Sequence, residues 1–146
     1  MNNFPVKMGS YFLEDIMSAY LVFMGIMGAL DLVWLSVMTP AFYRKRLAGI
    51  TDTIKFIPAI LFYVLFSIAA VIFVVTPAAI MNLNVYLTFA YGAFFGLVAY
   101  GTYDLTNQAT ISNWPILVTI VDMLWGAFVT GISSVLTIYI FKTFFL

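Results

Sequence analysis

Three aspartates lie inside stretches of sequence that are otherwise suited to a lipid environment. Asp31, Asp104 and Asp122 each interrupt or end a long apolar run, in a chain of 146 residues that is 64% hydrophobic and 8% charged. A carboxylate at bilayer depth costs about 2.5–3.5 kcal/mol on insertion scales, so such residues usually face a bundle interior, find a partner and mark a functional site. The chemistry they offer is proton exchange, cation binding or hydrogen bonding between helices.

Aromatic and amide side chains accompany these aspartates at helical spacing. Trp34 follows Asp31 by three residues and Trp125 follows Asp122 by three, so each indole shares a helix face with its carboxylate. An indole N–H can donate to a carboxylate while its ring stays in apolar surroundings. The remaining aspartate, Asp104, lies in the most polar part of any predicted span. We therefore predict a binding pocket near the cytoplasmic side that is formed by eight residues: Asp31, Trp34, Tyr100, Tyr103, Asp104, Asn107, Asp122 and Trp125.

The composition excludes several classes of site. The chain has no Cys and no His, which rules out disulfides, thiolate nucleophiles, a Ser–His–Asp triad and an imidazole zinc site. Proton chemistry must then fall to Asp, Glu, Tyr or Lys, and any metal would be a hard cation held by oxygens. We expect no cofactor, and the residue types alone assign no catalytic residue or metal ligand. The formal net charge is zero, so no nucleic-acid partner is expected either.

Four apolar segments predict an all-α integral membrane protein. They cover approximately residues 16–38, 57–76, 85–106 and 114–141, and each reaches the ~20 residues that a helix needs to cross a bilayer. Pro40 is predicted to end the first helix and Pro77 the second. The expected fold is a four-helix bundle with up-down topology in residues 16–146, preceded by an N-terminal extension in residues 1–15.

Basic residues predict the orientation of this bundle. Four of the six Lys and Arg side chains, Arg44, Lys45, Arg46 and Lys55, lie between the first two apolar segments. Short loops rich in such residues stay in the cytoplasm, so we predict a multi-pass membrane protein with loop 40–56 inside and both termini outside. At 1.5 Å per residue, the three aspartates then fall within about 5–12 Å of the inner boundary, which predicts a single polar layer. Three carboxylates without a cation nearby cannot all remain ionised there.

Small residues predict where the helices touch. Gly92 and Gly96 lie one turn apart in the third segment, and similar pairs occur in the first and fourth segments. These further pairs are Gly25 with Gly28 and Gly126 with Gly131. The second segment has no such pattern, so we predict that its helix is the one most exposed to lipid.

The motifs around the aspartates resemble those of a known family. The chain from about residue 18 is similar to a bacterial family of small predicted membrane proteins, catalogued as a domain of unknown function. The resemblance implies a four-helix inner-membrane protein and no particular activity. The motifs that carry it are Phe95–Asn107 (FGLVAYGTYDLTN), Leu30–Leu35 (LDLVWL), Phe42–Arg44, Pro58–Tyr63 and Asp122–Gly126 (DMLWG).

Three functions are compatible with these residues. The first is binding or transport of a small cation, a proton or a polar solute in the predicted pocket. Four spans make a small pathway, so we expect a homodimer if the protein transports its ligand. The second is a structural or accessory subunit that binds a membrane partner protein, with the aspartates holding helices together. The third is an enzyme that acts on a lipid or isoprenoid, with Asp as acid–base and Tyr assisting, although no metal motif supports it. Membrane lipids are expected partners in every case.

Overall fold

The computed structural model describes residues 10–51 and 55–144, and within these ranges the protein consists of four long helices and no strand. We number them in chain order. Helix α1 comprises Ser10–Met38, the π-helical turn Thr39–Tyr43 and Arg44–Arg46; α2 comprises Phe56–Ala70, the π-helical turn Val71–Val75 and Thr76–Ile80; α3 is Val85–Thr110; α4 is Ile116–Phe144. All four are long and apolar enough to cross a membrane. The predicted all-α membrane fold is confirmed.

Both prolines that were predicted to end helices lie inside them instead. Pro40 belongs to the π-helical turn of α1, where the Arg44 N–H donates to the Thr39 carbonyl. Pro77 lies two residues after the π-helical turn of α2, in which the Thr76 N–H donates to the Val71 carbonyl. A π turn widens the helix locally, and this gives a proline ring room next to the preceding turn. The predictions of helix ends at these prolines were therefore wrong.

The consequence for α1 is that the basic residues extend the helix. Arg44, Lys45 and Arg46 form its last turn and are all exposed, whereas the sequence placed them in a loop. The Arg46 guanidinium lies 4.1 Å from the centre of the Phe42 ring. Helix α3 is also longer than predicted, so Asn107 is helical. In the predicted N-terminal extension, residues 1–9 lie outside the described residues and residues 10–15 already belong to α1.

Glycines bring α3 and α4 into close contact. A Cβ atom added at Gly92 would lie 2.7 Å from Ser134 Oγ and 3.0 Å from the Gly131 Cα, and one added at Gly101 would lie 3.0 Å from the Met123 methyl group. Because α3 residues of rising number meet α4 residues of falling number, these two helices run antiparallel. The up-down order of the whole bundle stays a prediction. The prediction that glycines mark contacts is confirmed for α3 and α4.

Helix α1 does not follow the same rule. Added Cβ atoms at Gly25 and Gly28 would meet nothing within 4 Å, so the prediction of a contact at this pair was wrong. Its buried face consists of large side chains instead, above all Phe23 and Met27, which are both 0% exposed. Large side chains pack by filling space, and glycines are needed only where backbones approach closely.

Helix α2 is more deeply packed than its composition indicates. In its most apolar stretch 33% of the residues are buried, compared with 17% in α1 and 22% in α3, so the prediction that it is the most exposed helix was wrong. Ala70 and Val71 lie in the central core together with residues of α1 and α4. The face of α2 that packs is formed by small and β-branched residues at helical spacing, a pattern that a search for glycine pairs misses.

Candidate functional site

Asp31 is at the centre of a set of hydrogen bonds between helices. The Trp125 indole donates to Asp31 Oδ1 at 2.6 Å, and the Tyr100 hydroxyl donates to Asp31 Oδ2 at 3.4 Å. The Tyr63 hydroxyl also interacts with this carboxylate. Asp31 is only 3% exposed, so its carboxylate is removed from solvent but supplied with donors from α2, α3 and α4. This is how a carboxylate is stabilised inside a helix bundle.

Two stacked indoles connect Asp31 to the next aspartate. The Trp34 and Trp125 rings are parallel within 6° and their centroids are 4.1 Å apart. The Trp34 indole donates to the Tyr43 hydroxyl at 3.1 Å, and that hydroxyl donates to Asp122 Oδ1. We call this connected set the carboxylate network; its members are Asp31, Trp34, Tyr43, Tyr63, Tyr100, Asp122 and Trp125.

Local structure explains how α1 supplies both ends of this network. Asp31 and Trp34 lie three residues apart on one helix face. Tyr43 lies at the end of the π-helical turn Thr39–Tyr43, and its hydroxyl reaches Asp122 from there. If α1 ended at Pro40, as its sequence indicates, nothing would hold Tyr43 in this position.

Asp104 differs from the other two aspartates. It is 0% exposed, and neither of its carboxyl oxygens has a hydrogen-bond partner among the described residues. The negative charge of Asp122 acts on it. Asp122 is in turn within electrostatic reach of Asp31. The three aspartates are therefore electrostatically connected, but only Asp31 and Asp122 belong to the hydrogen-bonded network.

Two residues of the predicted pocket, Tyr103 and Asn107, are neither members of the carboxylate network nor fully buried. Tyr103 is 58% exposed, and its ring packs edge-on against Trp114 at 5.9 Å. Asn107 is half-buried and its side chain interacts with Tyr103. Tyr103 is next to Asp104 in sequence, but a helix turns by about 100° per residue, so the two side chains point to different faces of α3. Asn107 lies three residues after Asp104, on the same face but one turn nearer the end of α3.

The sequence-based pocket omitted two tyrosines that the structure places in the network, Tyr43 and Tyr63. Both occur in the motifs that carry the family resemblance, which was the available signal. Tyr43 was missed because it follows Pro40, where α1 was expected to end. Tyr63 was missed because α2 was expected to face lipid.

The donors present indicate which ligands the site could take. Among the described residues, no group of three or more acidic side chains lies close enough together to hold one metal ion. A proton needs only one carboxylate, and a monovalent cation could use the Asp104 and Asp122 pair. The network also places hydroxyl and indole donors around carboxylates, which suits proton exchange or structural hydrogen bonding better than electron transfer.

Comparison with protein families gives a match over most of the chain. The family described as "Predicted membrane protein (DUF2177)" matches residues 16–139, which is most of the 146 residues. Neither the comparison with curated proteins nor the comparison with solved structures gave a match. The resemblance inferred from the sequence is confirmed, and the chain belongs to the DUF2177 family of predicted membrane proteins.

Proposed function

We propose that this membrane protein reversibly binds a proton at the Asp104 and Asp122 pair, as the central step of a proton-linked function in the bacterial inner membrane. The single observation that carries the proposal is the environment of Asp104, which is fully buried with both carboxyl oxygens unpartnered. An ionised carboxylate in such surroundings lacks everything that normally stabilises its charge. A bound proton removes that charge.

The neighbouring carboxylate supports a shared proton. Asp122 is the charge that acts on Asp104, and two carboxylates in one low-dielectric site do not both ionise readily. Such a pair titrates as a unit. Asp122 already accepts from the Tyr43 hydroxyl, so it is the better-stabilised anion of the two, and Asp104 is the member we expect to carry the proton.

A structural role is the competing proposal, and a specific observation favours it at Asp31. That carboxylate accepts from Trp125 and Tyr100, so it has the partners of a helix-bundle anchor, each contact stabilising by roughly 0.6–2 kcal/mol in membranes. Asp31 would then hold α1, α3 and α4 together while the other two aspartates exchange the proton. The two roles make different predictions for the corresponding Asp→Asn variants.

Infrared titration of the protein in lipid bilayers tests the proposal. A protonated carboxylic acid in an apolar site has a C=O stretch that is distinct from that of a carboxylate and that shifts in D2O. We expect such a band to appear and disappear as the pH is changed. Asp104→Asn should remove it, because the amide cannot be protonated in this range, and Asp122→Asn should move the pH at which it appears.

Glu14→Gln is the matched control, because Glu14 is an exposed carboxylate far along α1 from the network; it should leave the band in place. Asp31→Asn should lower the stability of the protein. If no titrating band exists in the unmodified protein, or if the band survives in Asp104→Asn, the proposal is wrong. If Asp104→Asn only destabilises the protein and alters no titration, the structural role applies to all three aspartates.

A further inference from the structure

We propose that Ser67, Thr130 and Ser133 form a second polar site that binds water. The bound water molecules carry a proton between the carboxylate network and the side of the membrane opposite the cytoplasm. This inference rests on the proposed proton binding and extends it from a site to a route. It assigns a ligand, water, to three hydroxyl groups that lie outside the carboxylate network. It also predicts that the protein conducts protons across the bilayer.

The first observation is that these hydroxyls are buried without partners. Ser67 is 1% exposed, and Thr130 and Ser133 are 0% exposed. None of the three hydroxyl oxygens has a hydrogen-bond partner among the described residues. A serine or threonine in a membrane helix usually bonds to the carbonyl four residues earlier. Hydroxyls that do not are the kind of polar groups that buried water satisfies.

The second observation is their level in the bundle. Ser67 follows Tyr63 by four residues on the same face of α2, and Thr130 and Ser133 follow Trp125 by five and eight residues on α4. Because Tyr63 and Trp125 both contact Asp31, the rise of a helix places the three hydroxyls about 6–12 Å from the Asp31 level. A short chain of hydrogen-bonded water molecules would cover that distance.

The third observation is a stripe of polar and small residues along one face of α4. Its members recur every three or four residues and are buried or half-buried. From the first to the last of them is about 21 Å, which is most of the hydrocarbon thickness of a bilayer. The stripe consists of Thr119, Asp122, Gly126, Thr130 and Ser133.

The packing of α3 against this stripe limits what can pass. An added Cβ at Gly96 would collide with the Gly126 carbonyl and with the Thr130 hydroxyl, so at this level α3 leaves no space beside the stripe for even a methyl group. A solute molecule could not pass between α3 and α4 at this level. The route suits a proton that moves along hydrogen bonds, which requires only ordered water and hydroxyl groups.

Proton flux into liposomes that contain the purified protein tests this inference. A pH-sensitive dye inside the liposomes reports the flux after a pH step. We expect Ser67→Ala, Ser133→Ala and Thr130→Val each to lower the flux about tenfold, which corresponds to about 1.4 kcal/mol in the barrier. Each change removes one hydroxyl and leaves a side chain of nearly the same size, and thermal unfolding establishes that the variants are folded.

Ser134→Ala and Thr137→Val are the matched controls. Both residues are 0% exposed and belong to the same helix, but their hydroxyls donate to the Thr130 carbonyl at 2.8 Å and the Ser133 carbonyl at 2.7 Å. Each of these hydroxyls already donates its only proton to the backbone, so we expect the flux of these variants to equal that of the unmodified protein. The inference is overturned if both groups of variants lose flux equally. It is also overturned if neither group loses flux.

The outcome also separates this inference from the proposed function. If the unmodified protein shows a titrating Asp104 band but no flux above that of empty liposomes, proton binding stands and the route is wrong. If the flux depends on Ser133 but no carboxyl band titrates, the route stands as a path through water alone, and proton binding at Asp104 is wrong.

Discussion

Asp31 and Asp104 are the same type of residue on long apolar helices, yet their carboxyl groups have opposite environments. Asp31 receives hydrogen bonds from two aromatic donors, whereas Asp104 receives none from the described residues. Burial costs both of them hydration. Only Asp31 recovers that loss from its neighbours, which is why we assign anchoring to Asp31 and proton binding to Asp104.

At the residue scale, the stacked indoles give a spectroscopic prediction. Two parallel indoles at a centroid distance of 4.1 Å couple their electronic transitions, so the unmodified protein should show an exciton couplet in its ultraviolet circular dichroism. Trp34→Phe and Trp125→Phe should each abolish the couplet. Trp114→Phe is the control, since Trp114 packs against Tyr103 and not against another indole. A couplet that persists in Trp34→Phe would contradict this stacking.

At the scale of elements, close contact between α3 and α4 decides where an aromatic side chain can point. An added Cβ at Gly126 would overlap the Tyr100 ring, so only glycine at this position leaves room for Tyr100 to reach Asp31. Gly126 therefore acts through Tyr100 and positions the network from α4. The π-helical turn of α1 positions Tyr43 in a similar way, because it lets the helix continue beyond Pro40.

Substitution of glycines by alanine tests this positioning. Gly126→Ala should destabilise the protein by about 1–3 kcal/mol through overpacking. Gly28→Ala is the control: nothing lies within 4 Å of its added Cβ, and alanine favours a helix over glycine by up to about 1 kcal/mol. It should be neutral or stabilising in denaturant or thermal unfolding. Equal stability of the two variants would show that Tyr100 moves aside without cost.

At the scale of the whole molecule, the four helices and the basic end of α1 set the topology. The first helix ends in three exposed basic residues, which the positive-inside rule places in the cytoplasm. Four spans then put the connection between α3 and α4 on the same side and the connection between α2 and α3 on the other side. This sidedness is a prediction from charge, and the chain offers a simple way to test it.

Because the protein has no cysteine, a single introduced thiol reports on one position. Ala48→Cys and Ser112→Cys lie at exposed positions after α1 and between α3 and α4, and we expect an impermeant thiol reagent to label them only from the cytoplasmic side. Met81→Cys, at an exposed position after α2, should be labelled only from outside. Labelling of Ala48→Cys and Met81→Cys from the same side would contradict the topology.

Several features followed from the sequence because they depend on local composition. Long apolar runs can exist in a membrane only as helices that satisfy their own backbone, so the number of spans and the all-α fold were predictable. Tyr100 and Trp125 were predicted beside the aspartates for a related reason: helical periodicity is a local property. The ends of α1 and α2 were not predictable from Pro40 and Pro77, because a π turn absorbs a proline without stopping the helix.

The sequence by itself determined that three carboxylates lie within a four-helix membrane bundle and that aromatic residues accompany them in the sequence. Only the tertiary structure decided which carboxylate receives those donors, since the Trp125 indole lies one turn from Asp122 in sequence yet bonds to Asp31 on another helix. The physical reason is that a hydrogen bond between helices depends on their rotation and approach, which are set by packing at positions such as Gly126. No pattern within a single helix contains that information.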